Sequence, residues 1–132
     1  MKEENNSQEG TLDLQLEVEK NPNDSNAHCK LGIAYFNEGR YDLAEREMEL
    51  TLSLDEKNVT ALCYTGQIHL QRGQIEESRK KLQEALDIDP NSVESHYHLG
   101  NTYAQIGEIG LAIKEWKKAI SIDEKYSQAH YM

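Results

Sequence analysis

Several things are scarce in this chain of 132 residues. It has only two cysteines, Cys29 and Cys63, too few to read as the disulfide framework of a small secreted domain. Basic side chains number 14 against 24 acidic ones, a net charge of −10. A phosphate backbone or an anionic membrane surface would be repelled by that field, so neither nucleic acid nor membrane is expected as a partner. No apolar run approaches the length needed to span a bilayer. The start, Met1-Lys2-Glu3-Glu4-Asn5-Asn6, is polar and lacks the apolar core of a signal peptide, which points to the cytoplasm. Gly-rich phosphate loops and nucleophile elbows are missing too.

What is present is a modest apolar fraction, 37 %, beside 29 % charged residues. That balance suits an elongated protein in which every element keeps one face in water. The dominant signal is a repeat. Leu31-Gly32, Thr65-Gly66 and Leu99-Gly100 recur at a spacing of 34 residues. In the same register stand Tyr35, His69 and Tyr103, then Gly39, Gly73 and Gly107, then Ala44, Ser78 and Ala112. Met48, Leu82 and Trp116 follow, then Thr51, Ala85 and Ala119, and Asp55, Asp89 and Asp123 close the copies. No insertion disturbs the register.

Each column has a physical reason. Small residues (Gly32, Gly66, Gly100 facing Ala44, Ser78, Ala112) let two helices approach, and large ones beside them fill the remaining space. Gly39, Gly73 and Gly107 sit where a first helix must stop, since glycine accepts the left-handed C-cap conformation. Asp42, Glu76 and Glu77 fall in the first turn of the second helix, where the dipole favours negative charge. Pro90 cannot continue a helix and ends its pair.

Helix-turn-helix units of this period and pattern closely resemble the tetratricopeptide repeat (TPR) family over residues 25–126. The resemblance implies an all-α fold, an α-solenoid of antiparallel helix pairs in a right-handed superhelix. It divides the chain into repeat 1 (25–58), repeat 2 (59–92) and repeat 3 (93–126). Partial units flank them: residues 11–24, whose second helix would face the stack with Leu14 and Val18, and 127–132, the start of a truncated fourth repeat. Leu12, Leu14, Leu16 and Val18 also alternate as a strand would, but a lone strand has nothing to pair with. Residues 1–10 are expected to be disordered. His69, Thr65 and Ser78 depart from the family pattern and weaken the middle core; Glu56 and Glu124 stand where the family often has proline.

In proteins similar to this one, the outer stripe of each first helix lines a concave groove that grips a peptide or helix. Here that stripe comprises Asn26, Cys29, Ile33, Phe36 and Asn37 in repeat 1. It continues as Thr60, Cys63, Gln67, Leu70 and Gln71 in repeat 2, and as Glu94, Tyr97, Asn101, Ala104 and Gln105 in repeat 3. Only Glu94 is charged. The expected ligand is therefore a partly apolar protein segment, held by Ile33, Phe36, Leu70 and Tyr97 with amides bonding its backbone. Family members that clamp a heat-shock chaperone's terminal carboxylate use cations on this stripe. The equivalents here are Cys29, Ile33, Thr60, Tyr64, Glu94 and His98, so that type of co-chaperone is not expected.

Charge is graded: residues 1–24 carry −5 and the three repeats −3, −1 and −1, which would orient a partner's basic end towards the N-terminus. His28, His96 and His130 lie one repeat apart, too far to share an ion, so no metal or other cofactor is expected. Cys29 and Cys63 lack a basic neighbour to activate them, and no catalytic constellation is present, so the chain does not read as an enzyme. The expected role is a scaffold or adaptor that assembles a multiprotein complex. The alternative is self-assembly through uncapped ends, dependent on Trp116, Ile120 and Tyr131, since a solenoid needs a polar cap over its last apolar face.

Overall fold

The computed structural model describes the backbone of residues 2–131 and the side chains of residues 10–125. Among these residues seven helices follow one another: α1 (Lys2–Lys20), α2 (Ser25–Asn37), α3 (Tyr41–Leu54), α4 (Val59–Gln71), α5 (Ile75–Ile88), α6 (Val93–Gln105) and α7 (Ile109–Tyr131). There is no strand among the described residues, so the alternating leucines of residues 11–20 lie in a helix. The chain forms two compact units, residues 1–64 and 65–132, with the division inside α4. In the first, α1 packs on α2 and α2 on α3; in the second, α5 packs on α6 and α6 on α7.

Each first helix ends at the glycine the repeat supplies. Gly39, Gly73 and Gly107 have φ of +77°, +74° and +80°. Behind each, the amide of Arg40, Gln74 or Glu108 donates back to the carbonyl of Tyr35, His69 or Tyr103 at 2.9–3.0 Å. That long return bond needs a left-handed residue, which a side chain would strain. The starts are equally regular. Asp24 accepts from the Asn26 amide, Asn58 from Ala61 and Ser92 from Ser95. These caps satisfy amides that a helix start leaves unpaired.

Within each pair the small column meets the large one. A Cβ built on Gly32 would stand 2.8 Å from the Met48 methyl, on Gly66 2.8 Å from Leu82 Cγ, and on Gly100 2.5 Å from the Trp116 indole. Met48 and Leu82 are fully buried, and side chains of that kind contribute about 1.5–3 kcal/mol each. The weak middle core has a local remedy: the fully buried Ser78 hydroxyl lies 3.2 Å from that of Thr102 on α6, itself bonded to the His98 carbonyl.

α1 covers α2 with Thr11 and Gln15, whose side chains bond Glu38 and the Tyr35 hydroxyl at 2.6 Å, and with half-buried Leu14 and Val18. At the other end the regularity stops. α3 and α5 end before Asp55 and Asp89, whereas α7 passes Asp123 without a break. A new helix begins behind Asp24, Asn58 and Ser92, but the next position in that column is Tyr126, which has no short acceptor to cap one. The tail expected to be disordered over 1–10 instead has its backbone from Lys2 onward in α1, and the residues expected to start a truncated repeat over 127–132 continue α7 as far as Tyr131. Most of the side chains of both segments lie outside the described ones.

Candidate functional site

The stripe read from the sequence is distributed over both units. In residues 1–64 it comprises Asn26, Cys29, Ile33, Phe36 and Asn37 on α2 with Thr60 and Cys63 on the first turns of α4. Asn26, Asn37 and Thr60 are exposed, Ile33 and Phe36 half-buried, and Cys29 and Cys63 buried at 7 % and 4 % exposure. The Phe36 ring is held between Tyr41 at 5.3 Å and Tyr64 at 5.2 Å. Such tilted and edge-on contacts fix its plane. Phe36 is thus a rigid, partly covered platform, not a free apolar side chain.

In residues 65–132 the stripe comprises Gln67, Leu70 and Gln71 on α4 and Glu94, Tyr97, Asn101, Ala104 and Gln105 on α6. Gln71, Glu94, Tyr97 and Gln105 are exposed, while Leu70 is buried. Of the four apolar residues expected to face a ligand, Tyr97 alone is openly exposed, at 51 %. Asn101 accepts a 3.1 Å bond from the Trp116 indole N–H, which fixes the amide and leaves its NH₂ as a donor. Beside Tyr97, the His98 imidazole has its pKa lowered, because burial disfavours the charged ring more than the Glu94 charge favours it. Both units therefore present exposed amides over an apolar floor.

Repeat geometry of this kind is what the family comparisons match. A TPR repeat model matches residues 66–107, and two tetratricopeptide repeat models match residues 17–46 and 93–126. Together they cover more than half of the chain, and the last coincides with the third repeat read from the sequence. The chain is a tetratricopeptide-repeat protein.

Solved structures agree on the fold of this TPR chain. MamA matches at a TM-score of 0.77 with 20 % identity, over 89 % of this chain and 69 % of its own. PilF of Pseudomonas aeruginosa matches at 0.80 with 22 % identity, over 92 % and 56 %. The second TPR of Spaghetti, bound to the HSP90 peptide SRMEEVD, matches at 0.71 with 18 % identity, over 80 % and 98 %. At these identities the likeness is one of fold. No curated protein sequence matches the chain.

One feature of the TPR pairs escaped the sequence reading. His28 is buried, with Nδ1 2.7 Å from Glu47 on α3 and Nε2 2.7 Å from the Pro22 carbonyl. His96 repeats the arrangement with Glu115 on α7 and the Pro90 carbonyl, at 2.7 and 2.8 Å. Each ring ties the turn before a first helix to the second helix of the pair. Burial pulls the His28 pKa down, but the bonds to Glu47 and Pro22 and the charges of Glu47 and Asp24 outweigh it, and the net shift is upward. The signal lay in the columns: Pro22, His28 and Glu47 recur as Pro90, His96 and Glu115, while the middle repeat has Glu56, Leu62 and Lys81.

The remaining reactive groups are withdrawn. Burial pushes the Cys29 thiol pKa up, which weakens it as a nucleophile at neutral pH. Among the described residues no three His, Cys, Asp or Glu side chains stand together as ligands for an ion, and no helix is long and apolar enough to cross a membrane.

Proposed function

We propose that this TPR protein is a cytoplasmic interaction scaffold, not an enzyme, whose first helices hold an extended or helical segment of a partner and so help assemble a multiprotein complex. The observation that carries the reading is the chemistry of the stripe. Across α2, α4 and α6 it has one charged side chain, Glu94, and it pairs exposed amides (Asn26, Asn37, Gln71, Gln105) with a fixed apolar floor. Amides bond a backbone whatever its side chains, and Tyr97 adds an amphipathic anchor. The peptide-bound Spaghetti repeat supports a protein ligand for this fold. It does not carry its carboxylate ligand over to the groove, because Cys29, Ile33, Thr60, Tyr64, Glu94 and His98 offer no fixed cation there.

The test is affinity capture from native extract, with the chain beside a variant carrying Asn37→Ala, Tyr97→Ala and Gln105→Ala. All three positions are exposed, so the variant should keep the melting curve. A protein held by the first bait and lost by the second identifies the client. Equal retention by both removes the groove from the mechanism.

A second reading, self-assembly through the ends, is favoured by a separate observation. Ile109, Ile113 and Ile120 form one stripe on α7 with the half-buried Trp116, and the three isoleucines are exposed at 52 %, 43 % and 58 %. The position on α5 equivalent to Ile120 is the buried Leu86. Ile113→Lys with Ile120→Lys should abolish any concentration-dependent rise in mass seen by light scattering. A wild-type mass that stays that of one chain at all concentrations rejects self-assembly.

A further inference from the structure

A cleft of about 550 Å³ opens in the second unit between the turn before α6 and the outer face of α7. Pro90, His96 and Ile122 line it together with Lys114, Lys117 and Lys118. We infer that this cleft is a binding site for a carboxylate-rich segment of a partner protein, separate from the groove of the first helices.

The lysines occupy spacings of three and four, so they share one stripe of α7, which Ser121 and Lys125 extend, with Glu124 at its edge. The same columns are mixed in sign elsewhere. α3 has Arg46, Glu49 and Leu50, and α5 has Lys80, Gln83 and Glu84. Only the third pair concentrates one charge. Like charges at this spacing repel and destabilise a helix. Helix-dipole compensation does not explain them either, because that effect is confined to the last turn and α7 continues to Tyr131.

Lys114 and Lys117 have no ion-pair or hydrogen-bond partner among the described residues. Lys118 lies 3.4 Å from Glu115, whose other oxygen is bonded to His96. Both His96 nitrogens are taken, so the ring offers its carbon edge to the cleft beside Pro90 and Ile122. A lining that combines carbon surface with lysine ammonium groups matches a glutamate side chain, whose methylenes would lie on the first while its carboxylate meets the second. The chain's net charge of −10 repels a long polyanion, and screening leaves a short acidic segment to feel the local cluster.

The experiment titrates the full ¹⁵N-labelled chain with an acetylated six-glutamate peptide. Shifts should concentrate on the turn before α6 and on the stripe from Lys114 to Ile122. Affinity should fall roughly tenfold between about 0.02 and 0.2 M salt. Lys114→Gln, Lys117→Gln and Lys118→Gln together should weaken binding at least about tenfold, an effect of lost charge at exposed positions. Lys80→Gln, in the mixed stripe of α5, should leave it unchanged. Shifts spread along the chain, an unaffected triple variant, or equal shifts and affinity from inorganic phosphate would each overturn the assignment. The groove variant should bind the acidic peptide as wild type does, so failure of this site and failure of the groove are distinguishable.

Discussion

The α2–α3 and α6–α7 pairs are built to one plan and finished differently. Both stop the first helix on a left-handed glycine, both seat a large side chain against a glycine, and both carry the histidine link from proline turn to second helix. Yet Gly32 faces the flexible Met48 and Gly100 the rigid Trp116. The outer stripe of α3 is of mixed charge, whereas that of α7 is basic. Columns that bury a side chain are constrained by volume and hydrogen bonding. Columns that face water are free to diverge, and both proposed binding surfaces draw on them.

The largest expected effect tests whether the plan is shared. Met48→Ala and Leu82→Ala remove fully buried side chains from the same column, so each should cost about 2–5 kcal/mol in urea unfolding. A loss of the size seen at surface positions would remove that column from the core. The difference in finish should show next. Gly100→Ala drives a Cβ to 2.5 Å from the indole and 3.1 Å from the Ala112 carbonyl oxygen, and should cost about 1–3 kcal/mol. Gly32→Ala should cost less, because the methionine side chain can turn aside; equal losses would mean that partner rigidity does not matter.

A smaller effect is set by pH. The folded pKa of His28 is raised above its ordinary 6.5, so its stabilisation is complete below that value and fades as pH rises through the folded one. The groups facing it are Glu47, Asp24 and the Pro22 carbonyl. His28→Leu, the residue type of the middle repeat, should therefore lose most against wild type at mildly acidic pH and progressively less above neutrality. Parallel urea midpoints across that range would contradict the shift. Smallest of all, Tyr97→Ala should move stability by no more than about 0.5 kcal/mol, as at other exposed positions.

The repeat period, the helix ends at Gly39, Gly73 and Gly107 and the small-against-large columns were legible in the sequence, because each is a local requirement of backbone or volume. The stripe was legible only as a direction on a helix. Cys29, Cys63 and Leu70 share that direction with Asn26 and Tyr97 but are buried, since a helix with neighbours on two sides leaves only a narrow strip in water. The histidine links join residues nineteen apart in sequence, and helical periodicity carries no information about that distance. The unbroken run of α7 was signalled by Tyr126 in the capping column, a position to which the repeat comparison gave no weight.

Trp116 is the only tryptophan in the chain, and its indole N–H is bonded to Asn101 on the stripe proposed to receive a partner. A ligand that recruits the Asn101 amide must change the polarity and bonding felt by that indole. The protein thus has an intrinsic fluorophore wired to the face proposed to receive a partner. Emission from the unlabelled chain should register occupancy near Asn101 while remaining insensitive to contacts confined to α2.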